Sequence, residues 1–506
     1  MFAKLLEKEK DVILTAVAEP VYASRQLAFT RFGVPLSRCY EDADEFFAQG
    51  KICDAVFICT QDAQHCQMTL RALETGYDVC LEKPAAASVG ECLLIRDTAK
   101  RLGRKVMLTH VLRYAPFYRC IKKLITDGSL GEIADIDQTE NVAYWHFALS
   151  YVRGPWRDMK ESTPTIVAKC CHDLDILRWL MDKRCESVSS YGSRFYFNER
   201  HAPDGSATHC VDCEPGTREL CPYDAYKVYP ERMENCVVGG TARLKGKNIF
   251  DILREKKEII SRCVFYCGND SIDNQVVNMR FEDGSTGHLT MTAFSQDCHR
   301  TIAVHGTKGE AYGDVEEAVL HVNRYGGTRE TIDVNKFFNE DGVDLSGGHG
   351  GGDYYLLKDF IDYITVDSPS VTRTTIEDSL ESHIIGFKAE ESRLCGGKSI
   401  KIIDSFCTVH QRNVQSAINT EQYNQQGLNT MYYQCKSAGI RSVHAVKHHH
   451  GDNGKMPRAR PIGRRNDYSK RSAYKHHHCG LKTKMFRKRE AIESQIEMIE
   501  VTSPYK

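Results

Sequence analysis

"DAVFICTQDAQHCQMTLRALETGYDVCLEKPAA", residues 54 to 86, holds two short, continuous apolar runs joined by a stretch with helical spacing. An apolar run of about five residues without polar alternation is buried on both faces, and such strands joined through a helix pair in parallel. The pattern extends outward in both directions. "VILTAVA" (12 to 18) and "KVMLTH" (105 to 110) have the same texture, and helical spacing recurs at 22 to 32, 42 to 49, 63 to 75 and 88 to 102. Residues 1 to 130 therefore read as a doubly wound, Rossmann-like parallel sheet. Ligands of such sheets bind beyond the carboxyl ends of the strands, which is where Glu82 and Lys83 emerge, followed by Pro84.

From about residue 131 the texture changes to longer alternating strands near 131 to 143, 185 to 197, 274 to 281, 286 to 294 and 300 to 305. Helical spacing appears at 171 to 182, 352 to 365 and 376 to 394. This predicts an α+β domain over 131 to 407 with a mostly antiparallel sheet. Residues 409 to 506 carry 18 Lys/Arg against 7 Asp/Glu and two "KHHH" tracts, and their apolar periodicity fades. A basic, disordered extension over 408 to 506 is expected, with helical spacing only in "REAIESQIEMIE" (489 to 500).

Across the whole chain Lys+Arg 67 balances Asp+Glu 68, so no overall field points to nucleic acid or membrane. No run of about eighteen apolar residues occurs, and "MFAKLLEKEKD" lacks the apolar core of a signal peptide, so the cytoplasm is the expected address. Many of the 21 cysteines sit inside apolar runs and read as reduced, small hydrophobes.

Glu19 directly follows "VILTAVA". An acid there accepts hydrogen bonds from the adenosine ribose and repels a 2′-phosphate, favouring NAD over NADP; a surface acid at a strand end is the competing account. No glycine precedes Gly33, so the G-x-G-x-x-G turn and the first strand of a dinucleotide fold are missing and the sequence starts within the first helix. That absence predicts unpaired edges on the strands at 12 to 18 and 54 to 60, and weak NAD binding. His110, Arg113 and Tyr114 follow the last strand of the nucleotide domain, and Trp156 and Arg157 lie in "RGPWRD"; these either meet a polyhydroxylated or anionic substrate or pack the domains together. "GGHGGGDYY" offers His349 and Asp353 as hydroxyl partners, or a plain turn before a helix. Cys210, Cys213 and Cys221, with a fourth ligand, have the makings of a structural zinc clip, although reduced thiols explain them equally well.

Taken together, the stretch 54 to 95, "GSLGEI" (128 to 133) and "CHDLDILRWL" (171 to 180) resemble the glucose-fructose oxidoreductase, inositol dehydrogenase and rhizopine-catabolism (Gfo/Idh/MocA) family over roughly residues 1 to 407. The resemblance implies that Lys83 of "EKP" sits by the nicotinamide and the reacting hydroxyl, often before a cis proline, and that Glu19, Thr60, Gln61, His65, Glu82 and Lys83 face the cofactor. It implies that His172 is the catalytic histidine. Asp175, three residues on, lies on the same helical face and is placed to orient it. Where many members carry an aspartate this chain has Ala168, and either Lys169 beside it replaces part of the proton relay or the chemistry differs. The implied function is NAD-dependent hydride transfer to or from a carbinol of a sugar, sugar derivative or cyclitol, in a homo-oligomer. The rivals are an NAD-dependent glycosidase of the same family and a non-catalytic, sugar-sensing paralogue.

Overall fold

The computed structural model describes residues 2–7, 9, 11–232, 249–338, 348–402 and 496–502. Of the extension over 408–506 expected to be disordered, residues 408–495 and 503–506 lie outside the described residues. Strands β1 to β5 are Val12–Ala18, Cys39–Tyr40, Ala55–Cys59, Asp78–Leu81 and Val106–Leu108. Strands β6 to β10 are Ile133–Ala143, Cys185–Ser193, Asn274–Phe281, Thr286–Ser295 and His299–Gly306. Strands β11 to β15 are Gly309–Asp314, Val319–Arg324, Arg329–Asp333, Ile400–Lys401 and Ile496–Thr502.

The first sheet is wholly parallel, in the order β2-β1-β15-β3-β4-β5. Ala55, Val56, Phe57 and Ile58 of β3 are fully buried, as a continuous apolar strand covered on both faces must be. Helices Asp62–Thr75 and Val89–Leu102 connect its strands. Ser88 caps the second of these by accepting a hydrogen bond from Glu91 N, and each helix ends on a left-handed glycine, Gly76 and Gly103.

The place between β1 and β3, which residues 1 to 110 leave without a strand, is taken by β15. It runs parallel to both neighbours, with Ile496 opposite Val12 and Met498 opposite Ala55. This corrects two readings. Residues 496 to 502 form a strand where helical spacing was read, and β1 and β3 are not left unpaired. The β1 register skips Thr15 between Leu14 and Ala16, opposite the point where the alternation of "IEMIEV" breaks between Met498 and Ile499.

The second sheet, in the order β13-β12-β11-β10-β6-β9-β8-β7-β14, is antiparallel except for the β6·β9 pair. β8 alternates strictly, with Val277, Met279 and Phe281 inward and Val276, Asn278 and Arg280 outward. The inward face packs on helices Cys171–Met181 and Ile376–Leu394. Helix Pro116–Thr126 was not anticipated, although Phe117, Cys120, Ile121 and Leu124 mark a buried stripe at helical spacing. Among the described residues no helix is long and apolar enough to cross a membrane, and all of the cysteines are free.

Candidate active site

The turn after β4 is fixed before any ligand arrives. Glu82 Oε2 accepts hydrogen bonds from Thr109 Oγ1 (2.9 Å) and Lys83 N (3.2 Å), tying the β4 and β5 ends together. The Lys83-Pro84 peptide bond is cis. Two buried histidines brace the next residues: His65 Nδ1 lies 2.6 Å from Pro84 O and its Nε2 2.9 Å from Thr60 O. Ala85 N donates to His383 Nε2 (2.9 Å), so His383 Nδ1 carries the proton it gives to Ser379 O (2.8 Å). His65, expected to face the cofactor, is thus committed to holding the backbone of this turn.

Burial, with His110 beside it, pushes His383 down to about 3. The unfolded chain takes up a proton below about pH 6.5 that the folded chain refuses, so stability falls as pH falls from about 6.5 toward 3, by roughly 1.4 kcal/mol per unit from this residue. Urea midpoints taken from pH 7 to 5 should show that slope, and His383→Gln should remove its share.

Beyond this turn lies a cavity of about 240 Å³, with Glu82, Lys83 and Thr109 on one wall and Lys169, His172, Arg300, His349 and Asp353 on others. Val111, His146, Ser150, Tyr151 and Trp156 complete it. Lys83 Nζ reaches across and donates to Ala168 O (2.7 Å), so a backbone carbonyl receives the lysine at the position where relatives were expected to carry a carboxylate. His172 stands in the first turn of helix Cys171–Met181, buried, with Nδ1 unpartnered. Burial and the neighbouring Lys83, His349 and His110 hold its imidazole well below the ordinary value, which keeps it neutral and able to accept a proton.

Lys169 plays a different part from the one expected. Its ammonium lies 3.0 Å from Glu140 Oε1, and Glu140 also pairs with Arg300 Nη2 (2.5 Å). Arg300 Nε reaches Asp173 Oδ1 at 2.9 Å, which Gln138 also contacts. Burial is the largest single influence and works to lower Lys169, but Glu140, together with Cys298 and Asp173, raises it on balance. Lys169 is thus held as a cation of the cavity wall, paired with Glu140. Glu140, Arg300 and His146 were missed because they sit on or beside strands whose alternation reads only as structure.

The segment after β5 also turns inward. Arg113 grips Asp175 with Nε and Nη2, both at 2.6 Å, and His110 Nδ1 lies 2.9 Å from the same carboxylate. Tyr114 donates to Asp359 (2.7 Å). Arg113, Tyr114, His110 and Asp175 therefore pack elements together behind the cavity, and Asp175 serves Arg113 and His110, not His172. Burial would raise the Asp175 carboxyl, but Arg113 and His110 hold it below the usual carboxylate range. Asp175→Ala, which leaves a buried guanidinium unpaired, should cost about 3 to 5 kcal/mol; an unchanged denaturation midpoint would show the pair to be dispensable.

Trp156 lines the cavity and donates its indole N–H to Asp62 (3.2 Å), whereas Arg157 lies outside it, its carbonyl taken by Asp270 N. Cys210, Cys213 and Cys221 line a separate small pocket with Cys263 and Arg153. Arg153 Nη2 contacts Cys210 Sγ (3.3 Å) and Ala207 N donates to Cys213 Sγ (3.2 Å). Among the described residues no three His, Cys, Asp or Glu side chains are arranged to hold a metal ion, so the zinc expectation finds no support.

For a dinucleotide the fit can be judged at the strand ends. Thr60 Oγ1 and Gln61 Nε2, just beyond β3, are buried with no hydrogen-bond partner. Glu19 stands at the end of β1 with Oε1 accepting Val21 N (2.8 Å), and Glu82 and Lys83 border the cavity. These residues suit the two ends of the cofactor; for its pyrophosphate no glycine turn lies between residues 1 and 32.

The model described as "Oxidoreductase family, C-terminal alpha/beta domain" matches residues 122–392, and its companion, "Oxidoreductase family, NAD-binding Rossmann fold", matches residues 1–110. The chain belongs to the Gfo/Idh/MocA oxidoreductase family. By that membership it is an oxidoreductase with an NAD-binding domain. Among curated proteins it is 25% identical over 333 residues to the putative oxidoreductase YteT of Bacillus subtilis, covering 63% of this chain and 74% of that one. It is 28% identical over 181 residues to inositol 2-dehydrogenase/D-chiro-inositol 3-dehydrogenase of Lactiplantibacillus plantarum, covering 35% of this chain and 48% of that one. A crystal structure of an inositol dehydrogenase homolog with NAD+ from Azotobacter vinelandii superposes with a TM-score of 0.55 at 18% identity, over 77% of this chain and 90% of the other. At that identity the superposition speaks for the shared fold alone.

Proposed function

We propose that this protein oxidises or reduces a carbinol of a sugar, sugar derivative or cyclitol with NAD. Residues 1–130 hold the cofactor and residues 131–407 the substrate. The observation that carries the reading is the convergence of Lys83 and a neutral, buried His172 on one cavity at the carboxyl edge of the parallel sheet. When bound, NAD supplies the hydride acceptor at its nicotinamide. Thr60 and Gln61 would hold the cofactor near β3, and Glu19, as a carboxylate, favours a ribose hydroxyl over a 2′-phosphate.

The chain's own groups manage the hydroxyl. Lys83, fixed by the braced turn and by Ala168 O, orients the substrate oxygen with its N–H groups. His172 takes the hydroxyl proton through an imidazole nitrogen. Lys169 and Arg300, neutralised from behind by Glu140 and Asp173, present N–H donors to the remaining hydroxyls, and Trp156 offers an aromatic face. The named inositol dehydrogenase of Lactiplantibacillus plantarum favours a cyclitol or a ring sugar. Incubation with NAD and a panel of cyclitols, pyranoses and their acids, read by NADH absorbance, tests the reading. Turnover of at least one is expected, and sugar release from glycosides without net NADH would favour the glycosidase instead.

A further inference from the structure

We propose that His349, anchored by Asp353, carries the proton released in the cavity out to solvent. The proposal rests on the dehydrogenase reading above and adds a residue to it. Each oxidation of a hydroxyl frees one proton, and His172, which receives it, is only 5% exposed. It also shares its cavity with Lys83, Lys169 and Arg300, so a charged imidazole there is disfavoured and the proton must move on.

His349 is placed to take it. Its ring centroid lies 5.7 Å from that of His172, a gap that one water or a substrate hydroxyl bridges. Its side chain is 38% exposed, so the same ring meets both cavity and solvent. Nδ1 lies 3.2 Å from Asp353 Oδ2, which fixes the ring and leaves Nε2 to exchange. Asp353 is itself buried, with Oδ1 unpartnered.

The backbone explains why this ring sits where it does. His349, Gly350 and Gly351 have φ of 64°, 56° and 82°, and a Cβ on Gly352 would lie 2.3 Å from Val111 O. The loop therefore lies flush on Val111, three residues beyond the β5 end, with His349 at the cavity wall. The titratable and charged groups that line the cavity with His349 are His172, Lys83, Glu82, His146, Tyr151, Lys169 and Arg300, besides Asp353 at the start of the next helix.

In the transfer the substrate O–H bond breaks with its electron pair left on oxygen, and the proton forms an N–H bond on His172. That bond breaks as the proton passes, directly or through the bridging water, to His349 Nε2. The Asp353 carboxylate stabilises the imidazolium until bulk water takes the proton. One proton enters the path and one leaves it.

His349→Gly is the test variant, because glycine suits a φ of 64° and leaves a ring-sized gap. Turnover should fall about tenfold or more, and added imidazole should restore it in proportion to its unprotonated fraction. As a readout independent of turnover, diethyl pyrocarbonate on the cofactor-free chain should label His349 well before His172, measured by peptide mass spectrometry. Wild-type turnover in His349→Gly, a loss that imidazole does not restore, or labelling of His172 as fast as His349 would overturn the proposal. The wild-type rate in the same series separates the two failures. An inactive wild type overturns the dehydrogenase reading and this proposal with it, and an active wild type with an unrescued variant overturns the proton path alone.

Discussion

Deleting residues 494–506 should unfold the parallel sheet. β15 stands between β1 and β3, and its removal strips backbone partners from six β1 residues and five β3 residues at once. β3 is buried on both faces, so water cannot replace those partners without entering the core. A buried donor or acceptor left unpaired costs about 1 to 3 kcal/mol, and several together match the whole stability of a typical domain, about 5 to 15 kcal/mol. Thermal unfolding of the deleted chain should lose the cooperative transition of this sheet. A transition within a few degrees of the full chain would show that β15 contributes no pairing in solution. A synthetic peptide spanning 494–506, added in excess, should restore part of the lost stability by mass action.

Lys83→Ala and His172→Ala should each lower turnover by about 10²-fold or more, as expected for a positioned proton donor or acceptor. The two losses should differ in kind. Lys83→Ala removes an N–H donor on the substrate oxygen and frees Ala168 O, so KM should rise together with the fall in kcat. His172→Ala removes the proton acceptor and should act mainly on kcat. Both residues border an open cavity, so neither change should cost the fold much. Equal denaturation midpoints, read beside the rates, would separate chemistry from damage.

How much of this was legible in the sequence follows from how local each feature is. The strand-helix-strand reading of 54 to 86 and the delivery of Glu82 and Lys83 to the ligand edge rest on contiguous residues, and β3, helix Asp62–Thr75 and β4 stand where the pattern put them. His172 at a helix start was equally local. What depends on distant partners was not readable. Asp175 sits one helical turn from His172, yet Arg113, 62 residues away, claims its carboxylate. Lys169 was read from its place beside Ala168, and its pairing with Glu140 of β6, 29 residues away, was not visible there. The apolar residues of "AIESQIEMIEVT" (491 to 502) fit a helix through Ile492, Ile496 and Ile499 as well as a strand, and only the slot between β1 and β3 decides the matter.

The most direct test of the central mechanism is to follow deuterium. A ring-deuterated cyclitol or sugar from the panel that is turned over should deliver its label to the nicotinamide C4 of NAD, detected by mass spectrometry of the cofactor. Wild-type chain should transfer one deuterium per substrate oxidised, and Lys83→Ala and His172→Ala should transfer it about 10²-fold more slowly. Transfer at the wild-type rate in both variants would contradict the assignment of Lys83 and His172 to the reacting hydroxyl.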